Sequence, residues 1–191
     1  MQRDIIGDDP LTEKVEPCED AEFALLISNK GYGDATNLKL TTHQPEIIDN
    51  QKGLLIDFEI ISGQLNGGEK TPALGGDVVT DFGTVGAMSS SYAQWWLRSS
   101  LLGHFTSYQT EYTNLTSYGN EELSLIDTVM VHELIRSVDV MGDLKGFVVN
   151  DCVDADDLPD HIYLSDGTVD TVAIASNMQM KKISAQGIFR S

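Results

Sequence analysis

Apolar and polar residues alternate along much of the chain, and this alternation predicts β-strands. In the stretch SYAQWWLRSS, residues 91–100, two sets alternate: Ala93, Trp95 and Leu97 against Tyr92, Gln94, Trp96 and Arg98. Successive side chains of a strand point to opposite faces of its sheet. We therefore expect the face that carries Trp95 to lie in the core and the other face to point outward.

Further strand candidates are bounded by turn residues, and most of them share this period of two. With the first stretch they occupy residues 22–29, 36–43, 53–62, 77–83, 91–100, 104–115 and 123–140. In residues 53–62 the predicted buried face is entirely apolar and consists of Leu54, Ile56, Phe58 and Ile60. Asp57 and Glu59 alternate with them and are expected to point outward.

The spacing of the strands, roughly 8–15 residues with turn signals between them, predicts an all-β chain. We expect an immunoglobulin-like antiparallel β-sandwich of about seven to nine strands. After Gly142 the sequence becomes acidic and loop-rich before two more strand candidates, which predicts a C-terminal β extension. The predicted division is a lead or linker at 1–21, the sandwich at 22–141, and an acidic junction with further strands at 142–191. The last part either adds strands or leads to a next module.

The charge balance narrows the choice of partners. The 191 residues include 30 acidic and 12 basic ones, giving a formal net charge of −18, and 41% are hydrophobic. The hydrophobic share is that of a folding chain, whereas the charge repels nucleic-acid phosphates and anionic lipid. No apolar run approaches about 18 residues, so no membrane insertion is expected. No signal peptide begins the sequence and its last residues resemble a strand, which predicts a fragment of a longer protein.

The stretch VHELIRS, residues 131–137, begins as the zinc-protease signature H-E-x-x-H begins. That signature needs two histidines four residues apart on one helical face. Arg136 stands where the second histidine belongs, and the segment is rich in β-branched residues. In a strand the two positions lie roughly 13 Å apart. We therefore assign no zinc site and interpret His132 as a residue of a sheet face.

An acidic run is the best candidate for a cation site. Its aspartates are Asp151, Asp154, Asp156, Asp157 and Asp160. Calcium needs about six to eight converging oxygens, and the spacing of this run does not match an EF-hand loop. The favoured interpretation is a solvated linker, and a looser calcium site is the alternative. No cofactor is expected to be required.

The order of the strand and turn motifs resembles the CARDB-like class of immunoglobulin-fold modules. The matching elements are the Asn/Gly turn at 29–33, the strand opening at 35–38, the W-x-L element at 95–97 and the Gly–aromatic start at 103–105. The turn GAMSSS, residues 86–91, departs from the pattern of the class. The longer stretch of residues 8–177 also looks like a recurrent region of very large secreted or surface-anchored proteins. The resemblance implies an extracellular structural or adhesive module, and it carries over no catalytic residue.

Two covalent features are predicted in this setting. A bridge between Cys18 and Cys152 would constrain the unfolded chain by about 4–5 kcal/mol, and two unrelated thiols are the alternative. Asn114 opens the triplet NLT, which is a glycosylation acceptor pattern in a secreted eukaryotic chain.

The leading functional hypothesis is a non-enzymatic structural or adhesive unit of a surface fibre or filament. Its expected partners are neighbouring modules of the same chain or like subunits. The four histidines are dispersed and no nucleophile motif is present, so we expect no enzyme. The alternative is a carbohydrate-binding module that uses an exposed aromatic face. The residues of that face would be Tyr92, Trp96, Tyr108 and Tyr112.

Overall fold

The structure is a computed structural model that describes residue 2 and residues 4–42, 57–73, 78–104, 110–114, 127–140, 142–151 and 158–173. These residues form strands, turns and connecting segments and contain no helix, and the strands pair in antiparallel ladders, so the all-β prediction is confirmed. The strands within these ranges are β1 (Asp4–Ile5), β2 (Ala21–Asn29), β3 (Ala35–Thr42), β4 (Phe58–Leu65), β5 (Thr71–Pro72), β6 (Val78–Val85), β7 (Ser89–Ser99), β8 (Gly103–His104), β9 (Thr110–Asn114), β10 (Glu133–Asp139), β11 (Lys145–Asn150), β12 (His161–Leu164) and β13 (Val169–Thr171).

Two of the sheets share the first hydrophobic core. One has the strand order β2-β7-β4-β5 and the other the order β6-β3-β9. Leu40 of β3, Ile60 of β4 and Phe82 of β6 pack into one cluster with Trp95 of β7. Trp95 is fully buried, and its ring stacks on that of Phe23 with the centroids 5.0 Å apart. The prediction that the Trp95 face of β7 lies in the core is therefore confirmed.

A glycine lets β4 continue beyond residue 62, where the sequence pattern ended the predicted strand. A Cβ at Gly63 would lie 3.3 Å from Cδ1 of Trp95, a tight contact that glycine avoids. The turn that follows places Asn66 and Gly67 at φ values of 48° and 69°. Oδ1 of Asn66 accepts a hydrogen bond of 2.8 Å from the backbone N–H of Tyr92, which ties the turn to β7.

The predicted faces of β4 are partly described. Ile60 is buried, as predicted, and Asp57 and Glu59 are exposed, as predicted. Leu54, Ile56 and the side chain of Phe58 lie outside the described part of the structure.

A third sheet, with the order β10-β11-β12-β13, covers the opposite face of β7. Its core contains Tyr92, Leu134, Phe147 and Val149, and the ring of Tyr92 meets that of Phe147 edge-on at 5.6 Å. Gln94 of β7 is only 1% exposed. The prediction that Tyr92 and Gln94 point outward is wrong, because the sheet formed by the C-terminal strands lies over them.

The third sheet also bears on the predicted division of the chain. β10 pairs with β11 from Glu133↔Asn150 to Asp139↔Lys145. The boundary predicted after residue 141 therefore falls inside a β-hairpin, and β10 belongs with the C-terminal sheet. Within the strand predicted over 123–140, residues 133–139 form β10 while residues 127–132 are not in a strand, and 123–126 lie outside the described residues. Strand geometry across Glu133–Arg136 agrees with the prediction that this segment is not a zinc-binding helix.

The first residues, predicted as a lead or linker, include a folded segment. Asp4 and Ile5 form β1, which pairs with β8, and Ile5 is only 5% exposed. Residues 10–20 are exposed throughout. Only the later part of this segment therefore has the character of a linker.

Replacing Gly167 with alanine is expected to lower the free energy of unfolding by about 1–2 kcal/mol. Gly167 lies in the turn between β12 and β13 at a φ of 88°, and a Cβ there would come 2.6 Å from Oγ of Ser90. Both the left-handed backbone and the contact with β7 oppose a side chain. Gly33→Ala is the matched control, since a Cβ at Gly33 meets no atom within 4 Å. Urea denaturation compares the two variants, and equal stability would show that this turn does not pack closely against β7.

Candidate functional site

Four polar side chains meet where β11 ends and β12 begins. Asp151 follows β11 directly, His161 is the first residue of β12, and Tyr163 lies two residues further on the same face of that strand. His132 precedes the first residue of β10. Because β10, β11 and β12 are neighbours in one sheet, their ends bring these four residues together. We call them the Asp151 cluster.

The carboxylate of Asp151 is the centre of this cluster. Oδ1 lies 2.7 Å from Nδ1 of His161, and Oδ2 accepts a hydrogen bond of 2.8 Å from the hydroxyl of Tyr163. An ionised carboxylate can only accept, so Nδ1 of His161 is the donor. Nδ1 of His132 lies 3.9 Å from Oδ2, and its ring stacks on Tyr163 with the centroids 5.0 Å apart. The Asp151 side chain is only 11% exposed, which strengthens these interactions relative to those on an open surface.

The cluster shifts the titration of its members. Burial disfavours the charged form of Asp151, but the hydrogen bonds from His161 and Tyr163 outweigh burial and hold the pKa of this carboxyl below its usual value. The hydrogen bond to Asp151 raises the pKa of His161. Burial, together with the hydrogen bond to Asp151, raises the pKa of Tyr163 to about 12. The favoured state at mildly acidic pH is therefore an ionised aspartate beside a protonated histidine.

The chemistry open to this arrangement is that of an electrostatic anchor between strands. An aspartate that orients an imidazole also occurs in catalytic sites, where the imidazole acts on a nucleophile or substrate within hydrogen-bond reach. The hydrogen bonds from His161 and Tyr163 to the Asp151 carboxylate join the end of β11 to β12. Within the described ranges, no group of three His, Cys, Asp or Glu residues is arranged to hold a metal ion.

Sequence reasoning found parts of this cluster under other roles. Asp151 and Asp160 were candidate calcium ligands; in the structure Oδ2 of Asp160 accepts a hydrogen bond of 3.0 Å from the backbone N–H of Asp151. Asp154, Asp156 and Asp157 lie outside the described residues, so the calcium hypothesis stays a prediction. The missed signal is the pair His161 and Tyr163, separated by one residue, opposite an aspartate at the end of the preceding strand.

The predicted covalent sites are described only in part. The side chain of Cys18 is exposed, and its sulfur lies 3.8 Å from the carbonyl oxygen of Ser100. It lines a pocket of about 200 Å³ together with Asp57, Glu59 and Arg98. Cys152 lies outside the described residues, so pairing of the cysteines stays a prediction. Asn114 is the last residue of β9, and its side chain is outside the described part, so glycosylation also stays a prediction.

The aromatic face proposed for sugar binding is not assembled as predicted. Tyr92 is only 8% exposed and packs under the third sheet. Trp96 is partly buried, and the Lys70 ammonium lies 3.3 Å from the centroid of its ring. The side chains of Tyr108 and Tyr112 lie outside the described residues. Tyr92 therefore cannot be part of an exposed platform, and the Lys70 ammonium already covers one face of the Trp96 ring.

A second group of polar side chains lies between the β2-β7-β4-β5 sheet and the third sheet. Glu22 of β2 is 8% exposed; one carboxylate oxygen accepts a hydrogen bond from Nε2 of Gln94, and the other accepts one of 2.7 Å from Oγ of Ser137 in β10. Oε1 of Gln2 accepts a hydrogen bond of 2.7 Å from the backbone N–H of Glu22, and Nε2 of Gln2 donates one of 3.1 Å to the carbonyl of Ile135. We call Gln2, Glu22, Gln94 and Ser137 the inter-sheet clasp.

The chain matches no protein-family model, no curated protein and no solved structure. Within the described ranges, no helix has the length and apolar character needed to cross a membrane.

Replacing Asp151 with asparagine should remove a pH-dependent part of the stability. The raised pKa of His161 means that its stabilisation is complete below its ordinary value of 6.5 and is lost as the pH rises through the higher folded value. The lowered pKa of Asp151 means that its stabilisation is complete above its ordinary value of 3.8 and is lost as the pH falls through the lower folded value. The difference in stability between the native chain and Asp151→Asn should therefore be greatest between pH 3.8 and 6.5.

Urea denaturation at a series of pH values from 4 to 9 checks this expectation. Asp166→Asn is the control, because the pKa of Asp166 is lowered by hydrogen bonds from Thr168 and not by a histidine. Its effect on stability should not diminish above pH 6.5, where that of Asp151→Asn does. If the loss of stability caused by Asp151→Asn stayed constant as the pH rose above 6.5, the assigned pairing with His161 would be contradicted.

Proposed function

We propose that the chain is a non-enzymatic structural or adhesive module of a large extracellular protein, and a repeating unit of a surface fibre or filament. The observation that carries this proposal is the burial of β7 on both faces. Its Trp95 face packs into the core shared with the β6-β3-β9 sheet, and its Tyr92 face packs into the core shared with the C-terminal sheet. The longest described strand is thus used to join sheets and not to present a site.

The relation of the first two sheets supports an immunoglobulin-like architecture. They share one core between their facing surfaces, as the two layers of a sandwich do. β2 and β7 pair over nine consecutive positions, from Ala21↔Leu97 to Asn29↔Ser89. Under this proposal the third sheet is an addition to the sandwich, and the resemblance to CARDB-like modules favours the same assignment.

The polar groups of the described residues also fit a structural role. The Asp151 cluster and the inter-sheet clasp each contain hydrogen bonds that run across strands or sheets. An excess of acidic over basic residues favours solubility of a repeated module. The proposal includes no required cofactor, and calcium bridging by the acidic run would be an addition.

Immunogold labelling of intact producing cells tests the proposed location and role. Antibodies raised against the folded chain are expected to label fibres or an ordered layer on unpermeabilised cells. An antibody against a cytoplasmic protein, applied to the same cells, provides the control for membrane integrity. Label that is found only after permeabilisation would overturn the extracellular part of the proposal. Diffuse surface label without fibres or an ordered layer would overturn its assembly into filaments.

The carbohydrate-binding alternative has less support. It required an exposed row of aromatic rings, and Tyr92 lies between two sheets. The cation over Trp96 would have to leave before a sugar ring could stack there.

A further inference from the structure

The first residues of the chain form an arm that is seated in a slot of the folded body. The arm consists of Gln2 and residues 4–8. Asp4 and Ile5 pair with His104 and Gly103 of β8. Beyond them the backbone N–H of Asp8 donates to the carbonyl of Ser100 at 3.2 Å, and the carbonyl of Asp8 accepts from Leu102 at 3.1 Å. These contacts hold the arm along residues 100–104.

The fit of the arm in this slot is close. A Cβ added at Gly7 would come 2.4 Å from the carbonyl carbon of Leu101, so the backbones touch at this point. Ile5 is 5% exposed. Gln2 reaches further and takes part in the inter-sheet clasp through Glu22 and Ile135. The slot is therefore lined by β8, by the start of β2 and by β10, and the arm is the element that joins them.

The segment between the arm and β2 has the opposite character. Residues 10–20 are all exposed, and even the apolar residues Leu11 and Val15 are 77% and 89% exposed. Its described ties to the arm are two hydrogen bonds, from Glu16 to the Asp8 carboxylate at 2.7 Å and from Glu19 to the Ile6 carbonyl at 3.0 Å. Near its end, the sulfur of Cys18 lies 3.8 Å from the carbonyl oxygen of Ser100 and Asp20 pairs with Arg98 at 2.7 Å, so the connector proper is residues 9–17, which if extended would span about 30 Å. The arm could thus leave its own slot and reach that of a neighbour.

We propose that copies of this chain join by exchanging arms, each arm occupying the slot of the next copy. The exchanged contacts are identical to those in the closed chain, so the difference in free energy lies in the connecting segment and in the entropy of association. High local concentration reduces the second cost. Because each copy carries a net charge of −18, exchange should increase with salt, which screens the repulsion. The inference deepens the proposed function by naming the surface through which like subunits join, and it rests on that function.

Cross-linking between two full-length variants tests the exchange. One carries Asp4→Cys and the other His104→Cys, and both carry Cys18→Ser and Cys152→Ser. Paired positions on adjacent antiparallel strands have the Cα separation that a disulfide needs. The same two cysteines in a single chain give the positive control, an intrachain bridge. The matched negative control mixes Asp4→Cys with Lys30→Cys, an exposed position remote from the slot in sequence and in the described pairing.

After incubation at high concentration and mild oxidation, the slot pair should yield roughly tenfold more covalent heterodimer than the Lys30 pair, because docking raises the local thiol concentration. The yield of the slot pair should also rise with salt. If the single-chain bridge forms while the slot pair gives no more heterodimer than the Lys30 pair, arm exchange is excluded. If antibodies label the cell surface but the slot pair does not cross-link, the proposed function stands and arm exchange is wrong. If the slot pair cross-links but the cell surface is not labelled, arm exchange stands and the extracellular function is wrong.

Discussion

Replacing Trp95 with alanine is expected to lower the free energy of unfolding by about 3–5 kcal/mol. The side chain is completely buried, stacks on Phe23 of the neighbouring strand and lies against the backbone of Gly63. Its removal would leave a cavity in the middle of the core shared by two sheets. Because β7 is paired with β2 on one side and with β4 on the other, the surrounding strands can collapse into that cavity only in part. Urea denaturation monitored by far-UV circular dichroism measures the loss.

Trp96→Ala is the matched control in the same strand. Trp96 is partly buried on the other face, and its described aromatic contact is the Lys70 ammonium. A cation–π contact of this kind contributes about 0.5–1 kcal/mol, so we expect a loss of about 1 kcal/mol. If the two substitutions cost the same, Trp95 would not be the centre of the first core.

The alternation in β7 predicted one of its two faces correctly, for a physical reason. Ala93, Trp95 and Leu97 are apolar at a period of two, and burial of one face suffices to explain them. Tyr92 and Gln94 are amphipathic or polar, so local pattern places them in water. Tyr92 is buried against Phe147 and Val149, which are more than 50 residues away in the sequence, and Gln94 meets Ser137 of the same C-terminal sheet. The local sequence pattern of a strand that is covered on both faces by different sheets can be the same as that of a strand with one exposed face.

The ends of strands were harder to predict because glycines and bulges determine them. The sequence pattern places Gly63 at the start of a loop, yet it lies within β4, where the absence of a side chain avoids a tight contact with Trp95. The ladder between β4 and β7 also shifts register between Ile60 and Ser62. The all-β class follows from composition and period alone, whereas such details depend on contacts between strands.

The candidate site, too, depends on contacts between strands that the local sequence does not reveal. Asp151, His132 and His161 are all visible in the sequence, but the acidic residues around Asp151 favoured a solvated linker or a cation loop. What assembles the Asp151 cluster is the pairing of β11 with β12, which places Val149 opposite His161. A sequence-based prediction of a hairpin around the acidic run would also have placed Asp151 next to His161. No sequence signal marked that hairpin, since its connecting residues carry no short turn motif.

The inter-sheet clasp could not have been predicted from the sequence. Its hydrogen bonds are the basis of the second prediction with a large effect on stability. Replacing Glu22 with leucine is expected to lower the free energy of unfolding by about 2–4 kcal/mol. Leucine is similar in size to glutamate but is apolar, so the substitution removes the acceptor of the hydrogen bonds from Gln94 and Ser137. Each buried donor left without its acceptor costs about 1–3 kcal/mol. Loss of a desolvated carboxylate offsets part of that cost.

Hydrogen exchange locates the effect of Glu22→Leu. The clasp joins β2 and β7 to β10, so the amides of β10 should lose protection before those of β6, which lies in the first core. Glu59→Leu is the control, because Glu59 is an exposed glutamate on β4. A surface change of this kind shifts stability by no more than about 0.5 kcal/mol.

A triple variant, Glu22→Leu with Gln94→Leu and Ser137→Ala, separates the role of the hydrogen bonds from that of packing. Once the donors are removed together with the acceptor, no buried polar atom of these three side chains is left unsatisfied. Replacing all partners by apolar groups of similar shape is often close to neutral. The triple variant should therefore recover most of the stability that Glu22→Leu loses. If it is no more stable than the single variant, the loss comes from altered packing between the sheets, and the clasp does not hold the C-terminal sheet on β7.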